Sequence, residues 1–295
     1  MMATQQAKTP ATNIMLCYPN RIDEADLSGG SWSVNAPLEN AHDRLLAVRS
    51  RSSDTDPVST VIDIDLTKLR PVRAIAVIAH NLSAIARYKI SVSGTSFAGQ
   101  PVSSAGLGDV WPIIYPFGSI PWEHPSFWTG RALQQDIEGY SWSLVHILPE
   151  TQIVRFVRIE IEDTNNPDGF IEFGRLFVGD AWQPHYNQSY GAEIQYVSRT
   201  DISEAMSGAE TFDRRPAYRQ WSFSLDWLSG DEAKTRILEM QRQLDVHGEV
   251  LFIQNSTDIH HRHRLSFLGR MARLSGIERA NFVQYKNAFR IKEII

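Results

Sequence analysis

The chain has 295 residues, of which 42% are hydrophobic and 21% charged, enough material for two ordinary cores. A net charge of −5 at pH 7 and a pI near 6.0 argue against a dedicated nucleic-acid binder. The single cysteine, Cys17, excludes an internal disulfide framework and a cysteine-based zinc site, and points to folding in a reducing cytoplasm.

Residues 1–13, MMATQQAKTPATN, lack the apolar core of a signal peptide and read as disordered. No run approaches 18 apolar residues, so no membrane insertion is expected. Turn residues cluster at Ser28-Gly29-Gly30-Ser31 and Asn35-Ala36-Pro37. Val61 to Leu66 alternates and reads as a strand. Val72 to Ala79 is a continuous apolar run, the signature of a buried strand, and Tyr88 to Ser93 alternates again.

Residues 94–142 are rich in Gly and Pro, and Trp111, Trp122 and Trp128 crowd into them. A long irregular segment in a compact domain usually has a job. The three tryptophans either cover the domain's own core or form a surface for a partner or a glycan.

Residues 155–182 read as a hairpin. Its first strand, Phe156 to Glu162, faces Val157, Ile159 and Ile161 one way and Arg158, Glu160 and Glu162 the other. The turn is Asn165-Asn166-Pro167-Asp168-Gly169, and the second strand runs from Phe170 to Val178. In Asp163 to Gly169 the glycine is seventh and the twelfth residue is Gly174, so the EF-hand spacing of calcium loops fails.

A second unit is predicted from Trp182-Gln183-Pro184 onward. Ala192 to Val197 alternates, and Gln220 to Leu228 alternates most cleanly, placing Trp221, Phe223, Leu225 and Trp227 on one face. Ser229 and Glu232 have capping-box spacing before a helix over 231–247. Ala233, Ile237, Met240 and Leu244 form its apolar stripe, and Gly248 supplies a C-terminal cap. Glu249 to Ile253, Leu265 to Leu268, Phe282 to Tyr285 and Phe289 to Ile294 read as further strands.

The polar constellations are thin in chemistry. His260-His261-Arg262-His263 has only Asp258 beside it, and Arg262 and Arg264 repel a cation, so it reads as a polar loop or exposed strand rather than a metal site. No Gly-x-Ser-x-Gly elbow, Walker sequence or dinucleotide glycine pattern occurs. The expectation is no catalytic residue, no metal and no cofactor. Asp213-Arg214-Arg215-Pro216 reads either as a charged turn or as an inter-subunit contact, since Arg is enriched at interfaces.

Several segments carry a resemblance. Pro37-Leu38-Glu39-Asn40, Asp43-Arg44-Leu45-Leu46, Ala79-His80-Asn81-Leu82-Ser83 and Ala86-Arg87-Tyr88 resemble galactose-binding, discoidin-like jelly-roll modules at the front of some tailed-phage structural proteins. So do Pro121-Trp122-Glu123, Phe127 to Arg131, Asn166 to Glu172 and Gly174 to Gly179. Residues 190–295 resemble the tail-tube-like domain of phage distal tail and hub proteins, with Asp213-Arg214-Arg215-Pro216 and the closing Phe289 to Ile295 fitting that pattern.

The resemblance implies a mainly β fold. A jelly-roll β-sandwich over 14–182 precedes a tail-tube-like β-sandwich over 183–295 with one flanking helix. It further implies a structural, non-enzymatic protein of a phage tail tip, located in the virion after synthesis in the host cytoplasm. That protein would close into a homo-oligomeric ring, a hexamer by the same resemblance, and would meet the tail tube and the tail-tip hub or tape-measure proteins. The alternative is a carbohydrate-binding module that attaches a virion to host surface glycans. The two domains stand in the opposite order from many distal tail proteins.

Overall fold

The computed structural model describes residues 12–97, 101–104, 106–131, 133 and 142–295. The chain is mainly β and divides into two compact units. One holds Asn20–Ala181 together with Asp258–Ser266. The other holds the described residues up to Pro19, Trp182–Thr257 and Phe267–Ile295. The first strand, β1 (Met15–Cys17), belongs to this second unit, where it pairs antiparallel with residues 251–253. The sequence assigned residues 14–19 to the jelly roll. A three-residue apolar strand carries no signal of a partner more than two hundred positions away.

The jelly roll is built on β2 (Asp26–Ser28), β3 (Ile62–Ile78), β4 (Arg87–Ser93), β5 (Ser143–Glu162) and β6 (Arg175–Gly179). The two long strands, β3 and β5, run antiparallel along their lengths, with register shifts between Asp65 and Arg70 and between Val72 and Ala74. At the first shift Thr67 takes a φ of 61°, and the Asp65 carboxylate accepts its N–H at 2.8 Å. The second strand predicted at Val72 is therefore the same strand as the first, bent at a bulge. Bulges let one strand serve two sheets, the usual way a sandwich makes its corners.

One layer carries β2, the first part of β3, the last part of β5 and β4; the other carries β6, the last part of β3 and the first part of β5. Ile62, Ile64, Val157, Ile159, Ile90 and Val92 from the first layer form one buried cluster with Ile75, Val77, Leu144, Leu176 and Val178 from the second.

The predicted hairpin at 155–182 is not a hairpin. The last part of β5 pairs with Ile62–Asp65, and β6 pairs with Ala74–Ile78, so each strand takes a different part of β3 as its partner. Periodicity located strand segments there, but the first strand begins at Ser143, the second is split into Glu172–Phe173 and Arg175–Gly179, and periodicity says nothing of pairing. The turn between them is held by side chains instead. The buried Asp163 carboxylate accepts the Ser83 N–H at 2.8 Å and Oγ–H at 2.5 Å, and the Asn166 amide at 2.9 Å. Asn81 donates to Asp168 at 2.8 Å and accepts the Glu172 N–H at 2.8 Å. The Asp163 and Asp168 carboxylates of this turn are thus engaged by protein donors.

In the second unit the strands are β7 (Glu193–Val197), β8 (Asp201–Glu204), β9 (Glu210–Asp213), β10 (Tyr218–Leu228), β11 (Val250–Ile253), β12 (Ser266–Met271) and β13 (Tyr285–Glu293). One hydrogen-bonded path runs Ala181–Trp182, β1, β11, β12, β13, β10, β7. Trp221, Phe223, Phe252, Phe267 and Phe289 fill its core, with ring centroids 5.1–5.7 Å apart along the chain of contacts. Trp227 departs from the predicted face. The pairing of β10 with β13 shifts between Leu225 and Leu228, which turns Leu228 inward and leaves Trp227 half exposed. The strand predicted at Phe282–Tyr285 is a loop up to Gln284, with Phe282 and Val283 exposed.

The helix forms as its sequence directs. The Glu232 N–H donates to Ser229 Oγ at 3.2 Å, and Glu232 accepts the Ser229 N–H at 3.1 Å, a reciprocal capping box. Its first turns, Glu232–Ile237, are wide π turns that continue into the α-helix Leu238–Leu244. Ala233, Ile237, Met240 and Leu244 are all buried. Gly248 donates its N–H to Leu244 O at 2.7 Å, and a Cβ there would lie 2.6 Å from Leu244 Cα.

Disorder over residues 1–13 was expected; residues 1–11 lie outside the described residues. Asn13 is buried and donates to Pro184 O at 2.8 Å. Among the described residues no helix is long and apolar enough to cross a membrane.

Candidate functional site

The segment 106–131 of the jelly roll gives its three tryptophans two fates. Trp111 is buried: its ring meets Trp142 edge-on at 4.9 Å and His80 at 5.8 Å, and its Nε1–H donates to Leu82 O at 3.3 Å. It is a wall of the fold and not part of the surface predicted for a partner or glycan. Trp122 and Trp128 are 72% and 83% exposed. Phe117, which the sequence reading passed over, is 88% exposed and sits 5.8 Å from Phe127, whose ring lies 5.1 Å from Trp128. Its signal was available in Pro116-Phe117-Gly118: a large apolar residue at a turn position that normally holds a polar one.

The base of this loop is firmly tied. Gly130 has a φ of 63°, its N–H donates to Ser126 O at 2.7 Å, and its own carbonyl accepts the N–H groups of Ile114 and Tyr115. A Cβ on Gly130 would lie 2.7 Å from Tyr115 O, so only glycine closes the loop there. Arg131 donates to Ala84 O at 3.2 Å and pairs with Asp109 at 2.6 Å. Exposed aromatics on a pre-tied loop lose little entropy when a ligand covers them.

The histidine run predicted as a polar loop or exposed strand is a clasp on the jelly roll. His260 Nδ1 lies 2.7 Å from Ile113 O, His261 pairs with Asp258 at 3.1 Å, and Arg262–Leu265 forms one helical turn. His263 packs on Trp142 at 5.3 Å and Trp111 at 6.2 Å. Among the described residues no three His, Cys, Asp or Glu side chains converge on a metal position.

Two further histidines lie beneath this region. Burial pushes His80 down to about 3, and its Nδ1 accepts the Leu82 N–H at 3.3 Å. Burial, reinforced by the Arg262 charge, pushes His146 down to about 4; its Nδ1 lies 3.2 Å from the Tyr88 hydroxyl. An unfolded histidine titrates near 6.5, so the unfolded chain binds more protons below that pH. Stability from these two groups is fully present above about pH 6.5 and is lost as pH falls toward 4. The expected loss is on the order of a few kcal/mol, read as a falling urea midpoint between pH 7 and 4.5. His146→Phe should flatten that slope; a wild-type midpoint constant over this range contradicts the assignment.

Asp213, Arg214, Arg215 and Pro216 end the hairpin β8–β9, whose eight strand residues are all exposed and, among the described residues, pair only with each other. Arg215 Nη2 reaches Asp201 at 2.9 Å and Asp213 at 3.1 Å, pinning the base of the hairpin. Such exposed pairs contribute little on their own. Ile202 and Phe212 stand cross-strand from each other and are more than half exposed.

No family model and no curated protein matches the chain. Solved structures similar to it include carbohydrate-binding modules and a lectin domain. The family 32 module of Clostridium perfringens NanJ in complex with galactose is 16% identical, covering 57% of this chain and 99% of that module, with a TM-score of 0.37. The lectin domain of lectinolysin, complexed with Lewis B antigen, is 12% identical over 55% of this chain and 96% of that one, with a TM-score of 0.36. A chitosan-binding module from a Paenibacillus sp. IK-5 chitosanase/glucanase is 11% identical over 55% and 98%, also with a TM-score of 0.36. At these scores the fold assignment rests on the strand pairing of this chain itself.

Proposed function

We propose that the protein is a non-catalytic carbohydrate-binding protein whose jelly roll holds a glycan on the aromatic loop. The observation that carries this reading is the exposure of Phe117, Trp122 and Trp128 on a loop whose base is fixed by Gly130 and Arg131. Large apolar side chains in water are normally singletons; a group of them on one loop marks a binding surface. Aromatic faces pair with the C–H face of a sugar ring, and jelly rolls recur as lectin domains. Binding of the purified chain to an array of neutral and N-acetylated glycans tests this. Trp122→Ala combined with Trp128→Ala is expected to weaken binding about tenfold or more, with little change in melting temperature because both side chains are exposed. An array without hits, or a double variant that binds as the parent does, sinks it.

The second unit favours a further reading, assembly. An isolated two-stranded hairpin is marginal in water, yet β8–β9 presents Ile202, Phe212 and Met206 to solvent. The edge strand β7, unpaired on one side among the described residues, exposes Ile194 and Tyr196, and proteins normally cover such an edge. In this reading copies of the chain close a ring through these surfaces and form a structural element of a phage tail tip, in contact with tail-tube and hub or tape-measure proteins, with the jelly roll facing host glycans. Light scattering after size exclusion should then give an oligomer that Phe212→Asp dissociates. A parent chain that stays monomeric at high micromolar concentration contradicts it.

A further inference from the structure

A second feature of the jelly roll lies on the outer face of β4 and β5 and shares no residue with the aromatic loop. The register that pairs Lys89 with Glu160, Ser91 with Arg158 and Ser93 with Phe156 lines up six outward side chains in two facing rows. Phe97, from the turn after β4, folds back over them and meets Phe156 edge-on at 4.8 Å. The result is a half-open groove of about 220 Å³. Its floor is Ser91 and Ser93, its apolar wall is Phe97 and Phe156, and its far end is the Lys89–Glu160 pair. Pockets for drug-sized ligands run from roughly 300 to 1,000 Å³, so this groove fits about one small ring.

The charges decide the class of ligand. Lys89 Nζ lies 2.7 Å from Glu160. Arg158 holds Asp63 in a two-pronged pair at 2.6 and 2.7 Å while its guanidinium faces the Phe97 ring at 5.6 Å. Both cations of the groove are thus matched by carboxylates, and no net field draws an anion in. What lines the groove is an apolar wall and a polar row: the Ser91 hydroxyl, the Ser93 hydroxyl, which accepts the Thr95 N–H at 3.3 Å, and the Lys89–Glu160 pair. A neutral pyranose ring has this pattern in complement, with one C–H face and hydroxyls around its rim. Hydrogen bonds from hydroxyls to charged groups are also stronger than those between neutral partners.

We propose that the groove between Phe97, Phe156, Ser91 and the Lys89–Glu160 pair is a binding site for a single neutral pyranose ring. The site is independent of the aromatic loop, so the chain can hold a glycan when the loop is disabled, and the reverse.

The test uses the full chain, isotopically labelled, titrated by NMR with methyl β-galactopyranoside, methyl α-glucopyranoside and methyl α-mannopyranoside. Sodium glucuronate and inorganic phosphate serve as charged comparisons. At least one neutral methyl pyranoside is expected to shift the amides of Ser91, Ser93, Phe156 and Glu160. Ser91→Trp, which fills the groove from its floor, should weaken that binding at least about tenfold. Phe97→Ala should weaken it by a similar factor while leaving the strands untouched, and so separates lost binding from lost folding. Trp122→Ala with Trp128→Ala should leave it unchanged, which distinguishes this site from the loop. The proposal is overturned if no neutral pyranoside moves these amides, if glucuronate or phosphate binds more tightly than every neutral sugar, or if Phe97→Ala binds as the parent does.

Discussion

Replacing Arg175 by Ala is expected to cost the jelly roll about 3–5 kcal/mol, a large share of the roughly 5–15 kcal/mol that holds an ordinary domain folded. Arg175 lies on β6, in the layer that also holds Leu176 and Val178, and its side chain has no exposed surface. Its guanidinium does not point at solvent but bridges three segments. Nη1 donates to Ala41 O at 3.0 Å and to His42 O at 2.6 Å, at the end of the helical turn Leu38–His42. Nη2 donates to the Asp23 carboxylate, which also accepts from Arg44 at 2.9 Å. Without the guanidinium, two carbonyls and a partly buried carboxylate lose their donor, and a cavity opens in close-packed surroundings.

Arg175→Met fills the cavity but not the hydrogen bonds, so it should recover only part of the loss. Acid should mimic the variant. Burial alone would raise the Asp23 carboxyl, but the hydrogen bonds from Arg175 and Arg44 overcome this and hold it below its usual range. The stabilisation is therefore present above the ordinary carboxylate range and is lost as pH falls below it. The penalty of Arg175→Met, read from urea midpoints, should shrink from pH 7 to pH 3. A penalty below about 1 kcal/mol at pH 7 would show that the three segments hold without it.

What was legible in the sequence was local. The inward face of Val157, Ile159 and Ile161, the Ser229–Glu232 box and the stripe Ala233, Ile237, Met240 and Leu244 each follow from a period or a spacing within a few residues, and all are present. What was not legible depends on distant partners. The pairing of β6 with β3 rather than β5 is decided by which long strand offers a free edge, which alternation does not encode. The exposure of Trp227 follows from a bulge, and one extra residue inverts the face of everything beyond it. Trp111 and Trp122 stand in similar Pro- and Gly-rich surroundings. Only the placement of His80, Trp142 and His263, from three remote segments, makes the first a core residue and leaves the second in water. The groove of β4 and β5 shows the same limit. Lys89, Ser91 and Ser93 read as the polar side of an amphipathic strand until the register sets Phe156, Arg158 and Glu160 opposite them.

Arg219 and Glu293 carry the second large expectation, and its size depends on how many partners are removed. The strand register sets Gln220 against Lys292, which brings Arg219 at the start of β10 to Glu293 at the end of β13. Glu293 accepts the Arg219 N–H and Nε–H, each at 2.9 Å, and pairs with Nη2; both side chains are only 7% exposed. The guanidinium also lies 5.2 Å from the Phe267 ring, whose face further favours the cation. Removing either partner leaves a buried charge without its counter-ion. Arg219→Met and Glu293→Leu should each therefore cost about 3–5 kcal/mol. Removing both should not double the loss. Bringing two charges out of water costs nearly as much as their attraction returns, so an apolar pair of similar volume can replace them at little net change. The double variant is expected to be more stable than either single one, with a coupling of at least about 2 kcal/mol in a double-mutant cycle. Losses that simply add would mean that the two side chains act separately, the guanidinium through Phe267 and the carboxylate through the Arg219 backbone N–H.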